Sequence, residues 1–585
     1  MTAAFLERVR AGSRRFLLAT LVAIGALCGL AAYVFHALVK FMQDLFIVPA
    51  LARTGALRPI LVVATPAVVA LAIALLIRRW APGAGGANLA RVRRAYGEDS
   101  SLLDFRSVTA TFFLTPVSLG SGAPLGPEGP IVVVASGLAA GIARRLHLPR
   151  KVVRGMIPAG TAAGIAAIFN APITGVVFAL EEVLGTAEKG VLGGAIVAAV
   201  AAAVVETVLL GGRPVLAAPP AVWSGVRALL GFAILGVLAG GTSGVAMRGI
   251  ERLKQRMRLW IPSSAARACT GGALIGALGL LSPAILGVGY GTVSDWLRGG
   301  GSGAAAAVAF GAKTAGFMIA LSCGVIGGTF APSLFMGAAL GTTLGHAMRL
   351  LFPGAGIAPS AYALAGMGAF FAGVLRCPIA AVLIVVEVTG DYGLVLPLML
   401  SVALAMTVSR LLSPRNMVEQ QMSEEGFIEA DSAPDPLSNS RVRDVMSPSP
   451  ITVPADVDVL GAVRSVAGTR HHFYPVVDAE GRLAGLLGAD AVDQAVRDGR
   501  TDAPVSALLQ TPAPVVGRED ELVRALVARM AAAGVTRCPV VAADGSGRLT
   551  GFLSPFDLLE ARIRRTAAAE GGDAIASGPL LPGAR

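Results

Sequence analysis

Long apolar runs, cut repeatedly by glycine and proline, fill the chain from residue 16 to 412, and past 441 the pattern changes to short alternating segments. The first run, 16–39, follows Arg8, Arg10, Arg14 and Arg15. It is too long for a signal peptide and no cleavage site follows, which predicts a retained first span with a cytoplasmic N-terminus. A second run covers 59–77, and others cover 107–210, 221–246, 268–290, 303–347 and 360–412. A run of about 20 apolar residues is enough for a helix to cross a bilayer. Arg410 and Arg415 close the last span, consistent with a cytoplasmic exit.

The breaks carry the chemistry. LGSGAPLGPEGPIVVVASG at 119–137 holds one carboxylate, Glu128, between Pro127 and Gly129, just before an apolar helical run with Pro130 in its first turn. Proline costs nothing there, because the first N–H groups of a helix have no internal partner. Those N–H groups and the helix dipole attract anions. A second glycine-rich break, APGAGGANL, lies at 81–89. Non-helical backbone at membrane depth persists only where protein or a watery cavity surrounds it, a pattern of broken helices meeting at a transport site.

The membrane part also repeats. The segment from Ile157 matches the one near Leu364, pairing Gly160 with Gly366, Pro172 with Pro378 and Glu181 with Glu387; upstream, Pro130 pairs with Pro332. Two related halves predict a site at the repeat interface. A smaller repeat follows 441, with Pro450 against Pro514 and Pro475 against Pro539. Each of its units joins an amphipathic helix to short β-branched strands. The predicted divisions are a membrane domain at 1–415, a linker at 416–440, soluble units at 441–500 and 501–565, and a flexible tail at 566–585.

Composition supports a membrane body: 54% of residues are hydrophobic and 15% charged, against about 25% charged in soluble domains. The net charge of +12 comes from arginines flanking apolar runs and has no basic-aromatic motif beside it, so no nucleic-acid partner is expected. The five cysteines stand apart, with no spacing for zinc or a disulfide framework, and the histidines suggest no metal site either. No nucleophile–base pair or P-loop marks an enzyme.

GPEGP at 126–130, GGTFAP at 327–332 and FNAPITGVVFALEEV at 169–183 resemble the CLC chloride channel and transporter family, and the C-terminal pair resembles tandem CBS domains. The resemblance implies an all-α polytopic membrane protein with two inverted-repeat halves, followed by a soluble α/β tandem CBS module. It further implies a homodimer in the bilayer of the cell inner (plasma) membrane, with both termini and the CBS units cytoplasmic. Glu128 corresponds by position to the gating glutamate and Glu182 to the internal proton-transfer glutamate of proton-coupled members, with Glu181 structural. Backbone around Gly126, Gly129, Gly328, Thr329 and Phe330 would hold chloride, the transported ligand. Ala84 and Val418 occupy positions where relatives have a serine and a tyrosine, so two hydroxyls would be missing from the central site. No cofactor is implied in the membrane body. Ser554 and Asp557 fit the ribose and phosphate contacts of nucleotide-binding CBS units, while Gly488 and Asp490 depart from that pattern, so an adenine nucleotide and a purely structural pair both remain open.

The reading is chloride transport, by exchange for protons gated through Glu128. The alternatives are a passive channel of the same fold, a CBS-regulated cation transporter with the glutamates as ligands, and a membrane-anchored sensor.

Overall fold

A computed structural model describes residues 14–569, apart from 86–87, 98, 186–188, 212–215, 217–227, 355, 391, 425–436, 438–439, 470 and 510–514. Arg8 and Arg10, Pro514 and most of the expected tail lie outside these residues. The chain divides into two units, Met1–Phe427 and Ile428–Arg585.

The regular structure of the first unit, among its described residues, is helical apart from one antiparallel bridge. Eight helices among the described residues are long and apolar enough to cross a membrane. They differ in what they face. Leu57–Trp80 has 28% of its most apolar window buried, whereas Arg150–Phe169 has 83%, so the first presents its apolar surface outward and the second is core on nearly every side. Arg150–Phe169 can pack so closely because its inward face is small: a Cβ on Gly160 would come 2.6 Å from the Ala135 carbonyl. Its repeat mate Gly366, on Pro359–Leu375, is pressed in the same way against the backbone of Gly337. Close backbone approach through small residues is how helices associate where water supplies no driving force.

The duplication is visible in detail. Arg150–Phe169 ends at Asn170, left-handed at φ +52, and Pro359–Leu375 ends at Arg376, left-handed at φ +61. Each cap N–H closes on the residue four before it, Ala166 or Ala372. A proline then opens the next helix in both halves, Pro172–Phe178 and Pro378–Thr389, where its missing N–H is harmless. The halves grip each other reciprocally. Glu181 accepts from the N–H groups of Ile379 (3.1 Å) and Ala380 (2.9 Å), at the start of the second-half helix. Glu387 accepts from Ile173 (3.0 Å) and Thr174 (2.6 Å), at the start of the first-half helix. Such mutual contacts are what a two-fold relation produces.

Residues 416–440, expected to be a linker, are not all linker. Met417–Glu424 is a helix, and Met417, Val418 and Met422 are buried. Asn416 and Glu419 exchange side chain-to-backbone hydrogen bonds, 2.7 Å each way, which starts the helix as a reciprocal capping pair. The polar character of this stretch concealed an apolar face of three residues.

The second unit holds two sheets. Val453–Pro454, Phe473–Val477 and Leu483–Gly488 form one; Gly517–Arg518, Cys538–Val541 and Leu549–Leu553 form the other, which also takes the strand Ser447–Pro448 antiparallel to Leu549–Leu553. Val442 and Val445 pack in the core of that second sheet. The opening residues of the segment 441–500 thus pack on the sheet of the segment 501–565. The paired turns meet reciprocally, Leu483 N–H on the Gly547 carbonyl and Leu549 N–H on the Gly481 carbonyl, both 3.0 Å.

Candidate functional site

Glu128 opens the helix Glu128–Arg145, whose cap residue Pro127 makes no side-chain bond to it. The second-half helix Phe330–Leu351 starts after Thr329, likewise without a side-chain cap. Asp104 and Ser302 cap their helices with side chains, while other starts, such as those after Pro149 and Ala358, have no such cap either. The two starts at the repeat interface thus leave backbone N–H groups for something else.

One of them is taken by the carboxylate. Glu128 is fully buried; its Oε2 accepts from the Ala331 N–H at 3.2 Å and its Oε1 accepts from the Tyr290 hydroxyl. The carboxylate of one half sits on the helix start of the other. Strand-like pairing fixes the spacing between them: Gly126 donates to the Gly328 carbonyl (2.9 Å) and Gly328 donates to the Gly126 carbonyl (2.6 Å). A Cβ on Gly328 would come 2.7 Å from the Gly129 nitrogen, so only glycine allows this approach.

The N–H groups of Gly126 and Gly328 are each engaged with the other residue's carbonyl where the two loops cross, and Gly328 also borders a cavity of about 450 Å3. Gly129, Thr329 and Phe330 line this cavity. Val418 lines the same cavity, beside Met417, and brings no hydroxyl to it. Ala84 is different: it closes the short turn Pro82–Ala84, is 2% exposed, and packs with Ala81, Ala110 and Leu114, while Pro82 and Gly85 reach the cavity. Cationic side chains also border it, among them Arg78, Lys254, Arg258 and Arg267.

Glu181 and Glu182 lie on a π-helical turn, Ala179–Leu184, that sends adjacent carboxylates in different directions. Such turns concentrate at functional positions. Glu181 serves the helix start already described. Glu182 is 2% exposed, accepts from the Cys377 thiol at 3.2 Å and lies 3.9 Å from an Arg93 guanidinium nitrogen.

Sequence reasoning missed four participants. The Ala331 amide lies one residue past the expected donors. Tyr290 and Cys377 carried no local signal, being a hydroxyl after a glycine pair and a thiol before a proline. Lys313 did carry one, a lone cation in an apolar run, and such residues inside membranes are usually functional. It is fully buried and its Nζ donates to the carbonyls of Ile285 (2.9 Å) and Gly287 (2.7 Å).

In the second unit, Asp557 is the third residue of a helix that begins at Pro555. It accepts from the Ser554 N–H (2.7 Å) and hydroxyl (2.6 Å), and from the Ser447 hydroxyl (2.5 Å). Ser554 and Asp557 therefore cap the helix Pro555–Ala569. The adjoining cavity of about 300 Å3 is bordered by Asp444, Asp557 and Glu560 against Arg564, an unfavourable charge balance for a polyphosphate.

A buried, broken-helix site in which two bare helix starts face one carboxylate defines an anion-handling membrane protein. The chain matches the family model described as voltage gated chloride channel over residues 68–410, and CBS domains over 442–498 and 505–564. It belongs to the voltage gated chloride channel family. A ClcB-like chloride channel protein of Ralstonia nicotianae is 35% identical over 288 residues, 48% of this chain and 67% of that one. The H(+)/Cl(-) exchange transporter ClcA of Vibrio vulnificus is 30% identical over 393 residues, 65% of this chain and 83% of that one. Among solved structures, a slow cyanobacterial Cl-/H+ antiporter superposes with TM-score 0.65 at 22% identity, covering 70% of this chain and 99% of that one. The fold is thus the CLC fold.

Proposed function

We propose that this protein exchanges chloride for protons across a membrane, with Glu128 as the group both ions must displace or use. The carrying observation is the Glu128 carboxylate on the Ala331 N–H, a negative charge seated where a helix start offers a donor to anions. Chloride entering from the cavity bordered by Gly129, Thr329, Phe330 and Val418 competes with the carboxylate for such donors. Protonation of Glu128 weakens the carboxylate as competitor and releases the seat, so each anion step becomes linked to a proton. Glu182, buried beside Arg93 and Cys377, is the second proton station. Peptide dipoles do most of the solvation, because Ala84 and Val418 bring no hydroxyl.

Reconstitution in liposomes tests this. A proton gradient should drive chloride uphill, and Glu128→Gln should abolish that driving while chloride still moves down its own gradient. Chloride that never moves uphill in the unaltered protein would overturn exchange in favour of a passive channel, the reading that the absent hydroxyls favour. A cation transporter has less support: among the described residues no three acidic, histidine or cysteine side chains converge on a metal position.

In keeping with the family, we read the protein as a homodimer of the inner (plasma) membrane with its CBS units in the cytoplasm. The CBS pair is read as a structural and regulatory module. An adenine nucleotide remains its candidate ligand, although the capping role of Ser554 and Asp557 and the acidic border of the cavity favour a nucleoside with few phosphates.

A further inference from the structure

Tyr290 is the first residue of a helix, Tyr290–Leu297, whose start is held with unusual care. Gly289 before it has φ +89, and a Cβ there would come 2.6 Å from the Phe335 ring. Gly287, at φ +68, donates its N–H to the Gly122 carbonyl at 3.1 Å, tying this segment to the loop that leads into Glu128. From the other side Lys313 binds the carbonyls of Ile285 and Gly287 and stands 4.8 Å over the Phe335 ring. A buried ammonium is tolerated when backbone oxygens and a ring face replace its water. Here that replacement immobilises the residues that present the Tyr290 hydroxyl. The hydroxyl points at the Glu128 carboxylate.

We propose that Tyr290 is the side-chain donor of the anion position that Glu128 occupies: its hydroxyl holds the Glu128 carboxylate in the seat and donates to the anion that replaces it. The proposal rests on the reading of Glu128 as the anion's competitor. The carboxylate bridges two donors, the Ala331 N–H and the Tyr290 O–H. When it leaves, both donors face the vacated volume, and an anion accepts from the same pair. The chain lacks hydroxyls at Ala84 and Val418 but has one here, so side-chain donation is placed at the Glu128 seat. Lys313 is a positioning residue for it, acting through the carbonyls it binds.

The test uses the full-length protein with Tyr290→Phe, Glu128→Ala and the double variant, read by chloride efflux from liposomes at one fixed pH and by calorimetric chloride binding. Phenylalanine keeps the ring and its packing and removes only the hydroxyl. With Glu128 present, Tyr290→Phe should raise efflux about tenfold, the lower end of what a hydrogen bond to a charged group contributes. In the Glu128→Ala background it should give no further rise in efflux and should weaken chloride binding about tenfold. A purely structural tyrosine would not lose its effect on efflux when the carboxylate is removed. Unchanged efflux in Tyr290→Phe, or unchanged chloride affinity in the double variant, overturns the proposal. If Glu128→Ala alone leaves efflux and proton coupling as in the parent, the underlying reading of Glu128 fails instead, and the two failures are distinct.

Discussion

The two halves of the membrane unit share a frame, and their acids divide into those present in both and those present in one. Glu181 and Glu387 are mates, and each caps the helix start of the opposite half. Glu128 has no acidic mate. With Pro130 aligned on Pro332, its counterpart is Phe330, which packs edge-on against Phe178 (4.9 Å between ring centres) and Phe371 (5.0 Å). Glu182 has no acidic mate either, since Val388 stands there, buried. Glu181 and Glu387 answer a need of the fold, which the duplication created twice. Glu128 and Glu182 make no such reciprocal contact, and they are the two acids proposed to act in transport.

The sharpest way to break this division is Glu128→Gln. It keeps the shape and removes the charge, and proton-driven chloride uptake should disappear altogether while the protein retains its thermal stability in detergent. A loss of stability with coupling intact would move Glu128 into the structural class. Glu182→Gln comes next: proton transport should fall about a hundredfold, the lower end of what a positioned proton-transfer group contributes, with downhill chloride flux little changed. Simultaneous chloride and proton measurements on the same vesicles separate the two legs.

The paired acids should behave in the opposite way. Glu181→Ala or Glu387→Ala leaves backbone N–H groups at a helix start without their acceptor, at a cost of about 1–3 kcal/mol. The expected result is a lower apparent Tm with an unchanged proton-to-chloride ratio. Equal losses at the two positions would sharpen the comparison, because the contacts are reciprocal; a change of ratio at Glu181 alone would show that its neighbour Glu182 does not act by itself.

This division explains what could be read from the residues. Spacing alone paired Glu181 with Glu387 and placed Glu128 at a helix start, because both depend on contiguous patterns of glycine, proline and apolar residues. Contacts between distant segments were invisible: Tyr290 meets Glu128 across 162 positions, and nothing near Tyr290 marks it. Gly126 and Gly328 were recognised as backbone at the site, but the hydrogen bonds each makes to the other's carbonyl were not legible. Which N–H faces an ion and which faces another loop depends on how the halves cross, and composition does not encode that. The helix Met417–Glu424 was hidden for another reason, since eight residues with three buried positions give too short a period to separate from a linker.

The smallest effect concerns a position where the halves' shared frame has no say. Val418 borders the cavity with Gly328 and Phe330, and it offers no donor. Val418→Tyr would add one hydroxyl to a side chain that borders a cavity of about 450 Å3. A neutral hydrogen bond contributes about 1 kcal/mol net, so chloride affinity should rise about fivefold, measured by calorimetry in detergent. Ala84→Ser should do less, because Ala84 is packed among Ala81, Ala110 and Leu114 and an added oxygen there must first find room. If Val418→Tyr leaves affinity unchanged while the Glu128 variants behave as expected, the ion does not rest beside Val418, and the amide-lined seat near Ala331 is where binding is decided.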